Sequence, residues 1–194
     1  MKKLLISLLL ISITLFSCND EPTEVAKSET TEKQSFETTN IDALSEAELF
    51  SRLEKIEKNL VDEESLEVSK KYSVLMLEAG KKHIEKFPES INRRESIRKA
   101  SKAAQGLQQD YEAVRLLEIG ISEFGNDTTI IEEMNVRAYL FDKMDNKKKA
   151  REAYQEIIEK FPNHPSTEMH KARLSTLDMS EEELMKWLEK QNAK

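Results

Sequence analysis

Leu44, Leu49, Leu53, Ile56 and Leu60 fall three to five residues apart, with Glu, Lys, Arg and Ser filling the positions between them. That spacing puts the leucines on one stripe and predicts an amphipathic helix. Ser45 stands at its start with Glu48 three residues on, the pair that closes a capping box. DEESLEVSKKYSVLMLEAGKKHIEKFP, residues 62–88, continues as a second, longer helix. Pro88 stops it, because a proline pushes the preceding residue out of the α region. Helical spacing then runs on to Trp187, and only TTII at 128–131 reads as strand, too short a run to matter. Four Gly and four Pro in 194 residues leave few tight turns. The expectation is an all-α chain whose folded part, residues 44–192, is one domain with a core of its own.

The first 43 residues follow a different pattern. MKKLLISLLLISITLFSC, residues 1–18, has two lysines and then an apolar run. The run has signal-peptide length and is too short for a lasting transmembrane helix. Cys18 is the only cysteine and sits where cleavage would fall. LFSC resembles the lipobox of bacterial lipoproteins, with Leu15 at the third place before the cut and Ser17 as the small last residue; Phe16 is bulkier than the pattern usually shows. The resemblance implies a leader of residues 1–17 and a Cys18 thioether-linked to diacylglycerol, then acylated on its new amine. It also implies a lipid-anchored place at the outer membrane of a Gram-negative cell. The lone cysteine is then consumed, leaving no thiol for disulfide, metal or nucleophilic work.

Residues 18–43 follow as an acidic linker. NDEPTEVAKSETTEKQSFETTNID carries seven acids and two lysines with almost nothing apolar. Such a composition cannot offset its ordering entropy by burial and predicts a disordered tether. Asp20 and Glu21, just past Cys18, resemble the export signal that sends some lipoproteins to the cell surface, so both the periplasmic face and the cell surface fit. Losing Lys2 and Lys3 with the leader takes the formal net charge from −7 to about −9. No net field then draws nucleic acid or anionic headgroups.

AREAYQEIIEKFPNHP, residues 150–165, places Ala150, Tyr154 and Pro162 at intervals of four and eight. Twelve residues before Ala150 stands Ala138, with Phe141 three beyond it. An upstream stretch supplies Ser101, Ala113, Leu117 and Gly125 in the same order, with Ala113 and Ala150 37 residues apart. HIEKFPES at 83–90 echoes the stretch again, although Met76 and Gly80 upstream of it fit poorly. Small residues at these places let helix axes approach, and the aromatic fills the wedge beside them. The pattern resembles the tetratricopeptide repeat, a pair of helices in 34 residues. The resemblance covers roughly residues 65–175 and implies a short α-solenoid of antiparallel helix pairs. It also implies a C-terminal capping helix in LDMSEEELMKWLEKQN: Ser180 as its N-cap, and Leu184, Trp187 and Leu188 covering the open end of the core.

Chemistry is sparse. His164 and His170 lie six apart across a proline-containing turn, His83 has no HxxxH or HExxH partner, and no metal site is expected. GxSxG, P-loop and Rossmann glycine patterns are absent, and the glutamates mostly alternate with Lys as on a solvated helix face. The expectation is no enzyme, no cofactor and no nucleic-acid partner. By position in the repeat resemblance, Arg94, Arg98, Lys102 and Gln105 of one first helix would line a concave face beside Asn135, Tyr139 and Asp142 of the next. Arg94, Arg98 and Lys102 at i,i+4 steps form a basic stripe suited to an acidic or carboxylate-bearing peptide of an envelope protein. The alternative is a row of ordinary charges paired with Glu95 or with acids of the neighbouring helix. A carbohydrate-uptake accessory is the second functional expectation, with few exposed aromatics to serve it. Asp127–Thr129, DTT, also resembles a bacterial O-glycosylation site.

Lipidation is directly testable: metabolic labelling with palmitate should mark the wild-type chain, while Cys18→Ala should abolish the label and release the protein from the membrane fraction.

Overall fold

The structure, a computed structural model, describes residues 39–61 and 65–192; the leader, Cys18 and most of the acidic linker lie outside them. The helices are α1 (Glu46–Val61), α2 (Leu66–Lys86), α3 (Arg93–Gly106), α4 (Asp110–Phe124), α5 (Ile131–Lys143), α6 (Lys147–Lys160), α7 (Thr167–Thr176) and α8 (Glu181–Asn192). No strand occurs among the described residues, and Thr128–Ile130, within the strand-like TTII, is a 3₁₀ turn leading into α5. From α1 to α7 each helix packs on the next in the chain.

The expected capping box forms at α1, and the Ser180 N-cap proves to be a second one. The Ser45 N–H donates to Glu48 Oε2 at 2.9 Å, and the Glu48 N–H returns to Ser45 Oγ at 3.4 Å. Ser180 and Glu183 repeat the exchange at 2.8 and 3.3 Å. Between them they satisfy donors that a helix start otherwise leaves unpaired.

A local design recurs along the chain with a period of 37 residues. After α3, Gln108 takes a positive φ of 59°, and after α5, 37 residues on, Asp145 takes 56°. The Gln108 N–H donates to the Gln105 carbonyl and the Gln109 N–H to that of Ala104, each at 2.9 Å. Asp145 and Asn146 make the same two bonds to Asp142 and Phe141, also at 2.9 Å. This is the Schellman turn, which closes a helix by bonding its last free carbonyls. Phe87, Phe124 and Phe161 keep the same interval at the ends of α2, α4 and α6. Phe87 and Phe161, each before a proline, share a backbone conformation (φ −127°, ψ 66° and φ −128°, ψ 57°).

The small residues named from the sequence are where the helices meet. Ser101, Ala113, Leu117, Ala138, Phe141, Ala150 and Tyr154 are all buried, while Pro162 is exposed in the connector after α6. Gly80 and Met76, which fit the repeat pattern poorly, are buried too. A Cβ on Gly80 would stand 2.8 Å from the Ala100 Cβ, so here α2 and α3 touch nearly backbone to backbone. From the other side Gly120 of α4 packs on Ile97, where a Cβ would find the Ile97 Cγ2 at 3.3 Å.

The C-terminal helix departs from expectation. α8 forms behind its capping box but has no buried residue among those whose side chains are described. Leu184 and Trp187 are only half-buried, and Leu188 and Met185 are exposed. The last core layer, with Thr167, His170 and Leu177, is already closed by α7 and the residue that follows it, which leaves α8 little apolar surface to cover.

Gly80→Ala should lower unfolding stability by about 1–2 kcal/mol, since overpacking outweighs the helix-propensity gain of alanine. Gly106→Ala, whose Cβ would meet only Ser73 Oγ at 3.5 Å, should be neutral or slightly stabilising. Urea titration of both variants checks the contrast.

Candidate functional site

Helices α1, α3 and α5 share a face that holds two adjoining cavities. The smaller, about 270 Å³, is lined by Glu57 of α1, by Glu95, Arg98, Lys99, Ser101, Lys102 and Gln105 of α3, by Leu117 of α4, and by Glu132, Glu133 and Val136 of α5. The larger, about 490 Å³, opens at the start of α3 and is lined by Ile91, Arg94, Glu95, Arg98, Thr129, Glu132 and Glu133. On α5, Tyr139 continues the stripe of Glu132 and Val136 at seven- and three-residue steps and is 58% exposed.

The basic stripe on α3 is mostly neutralised. Arg94 pairs with Asp127 at 2.7 Å and with Glu133 at 3.1 Å. Arg98 reaches Glu95 at 3.2 Å, Glu132 at 3.6 Å and Glu133 at 3.8 Å. Buried Lys99 is held by Glu57 and, at 3.2 Å, by Glu95. Burial alone would lower the Lys99 pKa, but hydrogen bonds to these two carboxylates outweigh it and raise the value. Lys102 is exposed and has no carboxylate within 4 Å among the described residues. Three cations thus sit among five carboxylates, and the alternative foreseen from sequence, pairing with Glu95 and acids of the next helix, is what Arg94 and Arg98 do.

Glu133 carries the anomaly of the site. It is 5% exposed, and while Oε1 serves both arginines, Oε2 is buried with no partner among the described residues. Further along α5, Asn135 Oδ1 is likewise buried and unpartnered, and so is Arg137 Nε, although Arg137 Nη2 donates to Glu156 at 2.5 Å. Sequence reasoning passed over Glu133 because it reads as one more glutamate; its place one residue beyond the exposed Glu132, on the inward side of the helix, was the available signal.

The remaining candidates divide. Gln105 lines the smaller cavity and donates Nε2 to the Ser101 carbonyl at 3.3 Å. Asp142, expected on the partner-binding face, is instead an internal tie with a side chain only 10% exposed. Arg173 of α7 grips it at 2.5 and 2.8 Å, Lys147 lies at 3.4 Å and the Tyr154 hydroxyl at 3.5 Å. The Arg173 hydrogen bonds hold the Asp142 carboxyl below the usual carboxylate range. The residue is spent on joining α5 to α7.

Two histidines are buried away from the cavities. His83 lies between the Phe50 and Phe87 rings, with Nδ1 3.0 Å from Ser96 Oγ and Nε2 unpartnered. His170 stacks on Tyr154 at 5.5 Å with neither ring nitrogen partnered. Burial pushes both pKa values down, helped at His83 by Arg93 and opposed by Glu46, and helped at His170 by His164. Among the described residues no three His, Cys, Asp or Glu side chains are grouped to hold a metal ion, and no helix is long and apolar enough to cross a membrane. No protein-family model matches the chain, and no characterised protein matches it in sequence.

Both histidines are neutral in the fold. As pH falls through the ordinary histidine value of about 6.5, the unfolded chain takes up protons that the folded chain refuses, and stability drops. The loss per histidine should stay below about 1.4 kcal/mol per pH unit, the limit set by one proton. His170→Phe keeps the ring stack and should remove one proton's share of that slope, read from urea midpoints between pH 7 and 5.

Proposed function

We propose that this chain is a lipid-anchored interaction scaffold of the bacterial cell envelope. In this reading it is a short tetratricopeptide-like α-solenoid that docks a partner's peptide or helix on the face of α1, α3 and α5. The pair of adjoining cavities carries the proposal: side chains from three alternate helices line them, which suits a polypeptide laid across the helices. The recurrence of the Schellman turn and the terminal phenylalanine every 37 residues supports the repeat reading, in which the first helix of each pair faces the concave side. Neither cavity has an aromatic in its lining, so the peptide stands ahead of sugars, which want a ring to stack on. The lipid on Cys18 would hold the scaffold at the outer membrane, on the periplasmic face or the cell surface.

A photo-crosslinking residue in place of Tyr139 tests this in cells. The expected result is one dominant protein adduct that saturates with expression level and is absent when the probe replaces Tyr111, an exposed tyrosine of α4. Equal, diffuse adducts from both positions would overturn the docking face.

A further inference from the structure

The electrostatics of the face reverse what its arginines suggest. In the larger cavity Glu95, Glu132 and Glu133 outnumber Arg94 and Arg98, and Asp127 adds a fourth carboxylate beside Arg94. In the smaller cavity four carboxylates face Arg98, Lys99 and Lys102. An acidic segment laid here would meet an excess of like charge, whereas a basic one would complete the balance.

One residue at the wall of both cavities has acceptor capacity left. Glu133 Oε2 is an acceptor with no partner among the described residues, on a side chain 5% exposed that lines both cavities. A buried carboxylate oxygen without a donor is costly, and a charged N–H is the donor that relieves it most. Arg94 and Arg98 are already committed to Oε1 and to neighbouring carboxylates. Ile91, 94% exposed, also lines the larger cavity. Lysine and arginine bring an aliphatic stem and a charged head, which this combination of an exposed apolar side chain and a buried carboxylate oxygen matches.

We propose that the larger cavity takes a lysine or arginine side chain of a partner polypeptide, its stem on Ile91 and its cationic N–H donating to the Glu133 carboxylate. The inference rests on the reading of this face as a peptide-docking surface and names the residue type that anchors there. Lys102 lines the smaller cavity alone, so its charge opposes a cation there and leaves the larger cavity as the seat.

The test uses the full chain in detergent micelles and a phage-displayed library of random dodecapeptides. Selected sequences should share a Lys or Arg. In a synthetic copy, replacing that residue by norleucine or citrulline should weaken binding at least about tenfold. Glu133→Gln should weaken it roughly 30-fold, the lower end for removing one partner of a buried charge pair. A photo-crosslinking residue in place of Ile91 should capture the peptide, and this measurement leaves Glu133 intact should its substitution disturb the fold. Selected peptides without a basic preference, or a binder indifferent to both the neutral replacement and Glu133→Gln, would overturn the anchor. Capture from Tyr139 and not from Ile91 would do the same while leaving the docking face in place. Capture from neither position would remove both.

Discussion

α3 is held by a glycine on each side. Gly80 of α2 meets it at Ala100, and Gly120 of α4 meets it at Ile97, at distances that leave no room for another methyl group at Gly80 and little at Gly120. The buried side of α3 answers with Ser96, Ala100, Ala103 and Ala104, all small. Interiors pack as densely as organic crystals, so such a surface leaves the axis of α3 little room to shift. The polar side of the same helix carries Arg94, Arg98 and Lys102. Their placement opposite α5 is therefore a consequence of packing on the far side of α3, not of the ion pairs they make.

Those ion pairs then join helices that are not consecutive. Glu57 and Lys99 tie α1 to α3, Arg94 and Arg98 with Glu132 and Glu133 tie α3 to α5, and Asp142 with Arg173 ties α5 to α7. Lys81 and Glu112 do the same for α2 and α4 at 2.7 Å. Exposed pairs of this kind contribute little stability each. Lys99, Glu133 and Asp142 differ, because their burial removes the option of hydration and makes the partner obligatory. Helices adjacent in the chain meet through small apolar residues and add ion pairs such as Arg93 with Glu123 and Arg137 with Glu156, whereas the ties between alternate helices named above are ionic. The division leaves the α1, α3 and α5 face polar, shaped and largely neutralised.

Much of this was legible in the chain. The leucine stripe of α1, the Ser45 capping box, the Ser180 N-cap and the stop at Pro88 follow from local rules, because each depends on residues within one or two turns of one another, while the small residues from Ser101 to Ala150 follow from the repeat spacing. Gly80 was passed over because it is judged poorly by a consensus position and well by the Ala100 Cβ opposite, a long-range contact no single-helix pattern contains. α8 misled for a related reason: its amphipathic spacing says that it can cover a core, not whether α7 has left one to cover. The basic stripe was visible and its pairing stood as an alternative, but which acids take part was not legible, since three of the five carboxylates come from α5 and its lead-in turn, 25 or more residues beyond the stripe.

The unsatisfied polar atoms separate by where relief could come from. His170 is 2% exposed, stacked on Tyr154, with both nitrogens unpartnered among the described residues, so its cost falls on the fold and surfaces as acid sensitivity. His83 has Ser96 on one nitrogen and aromatic rings on either side, and stands in the same position. Glu133 is as deeply buried but borders open volume on two sides. An acceptor enclosed in a core can only be tolerated, whereas one at a cavity wall can be completed by what enters. That difference in surroundings, more than any residue type on the face, is what favours α5 opposite α3 in the proposed docking of a partner.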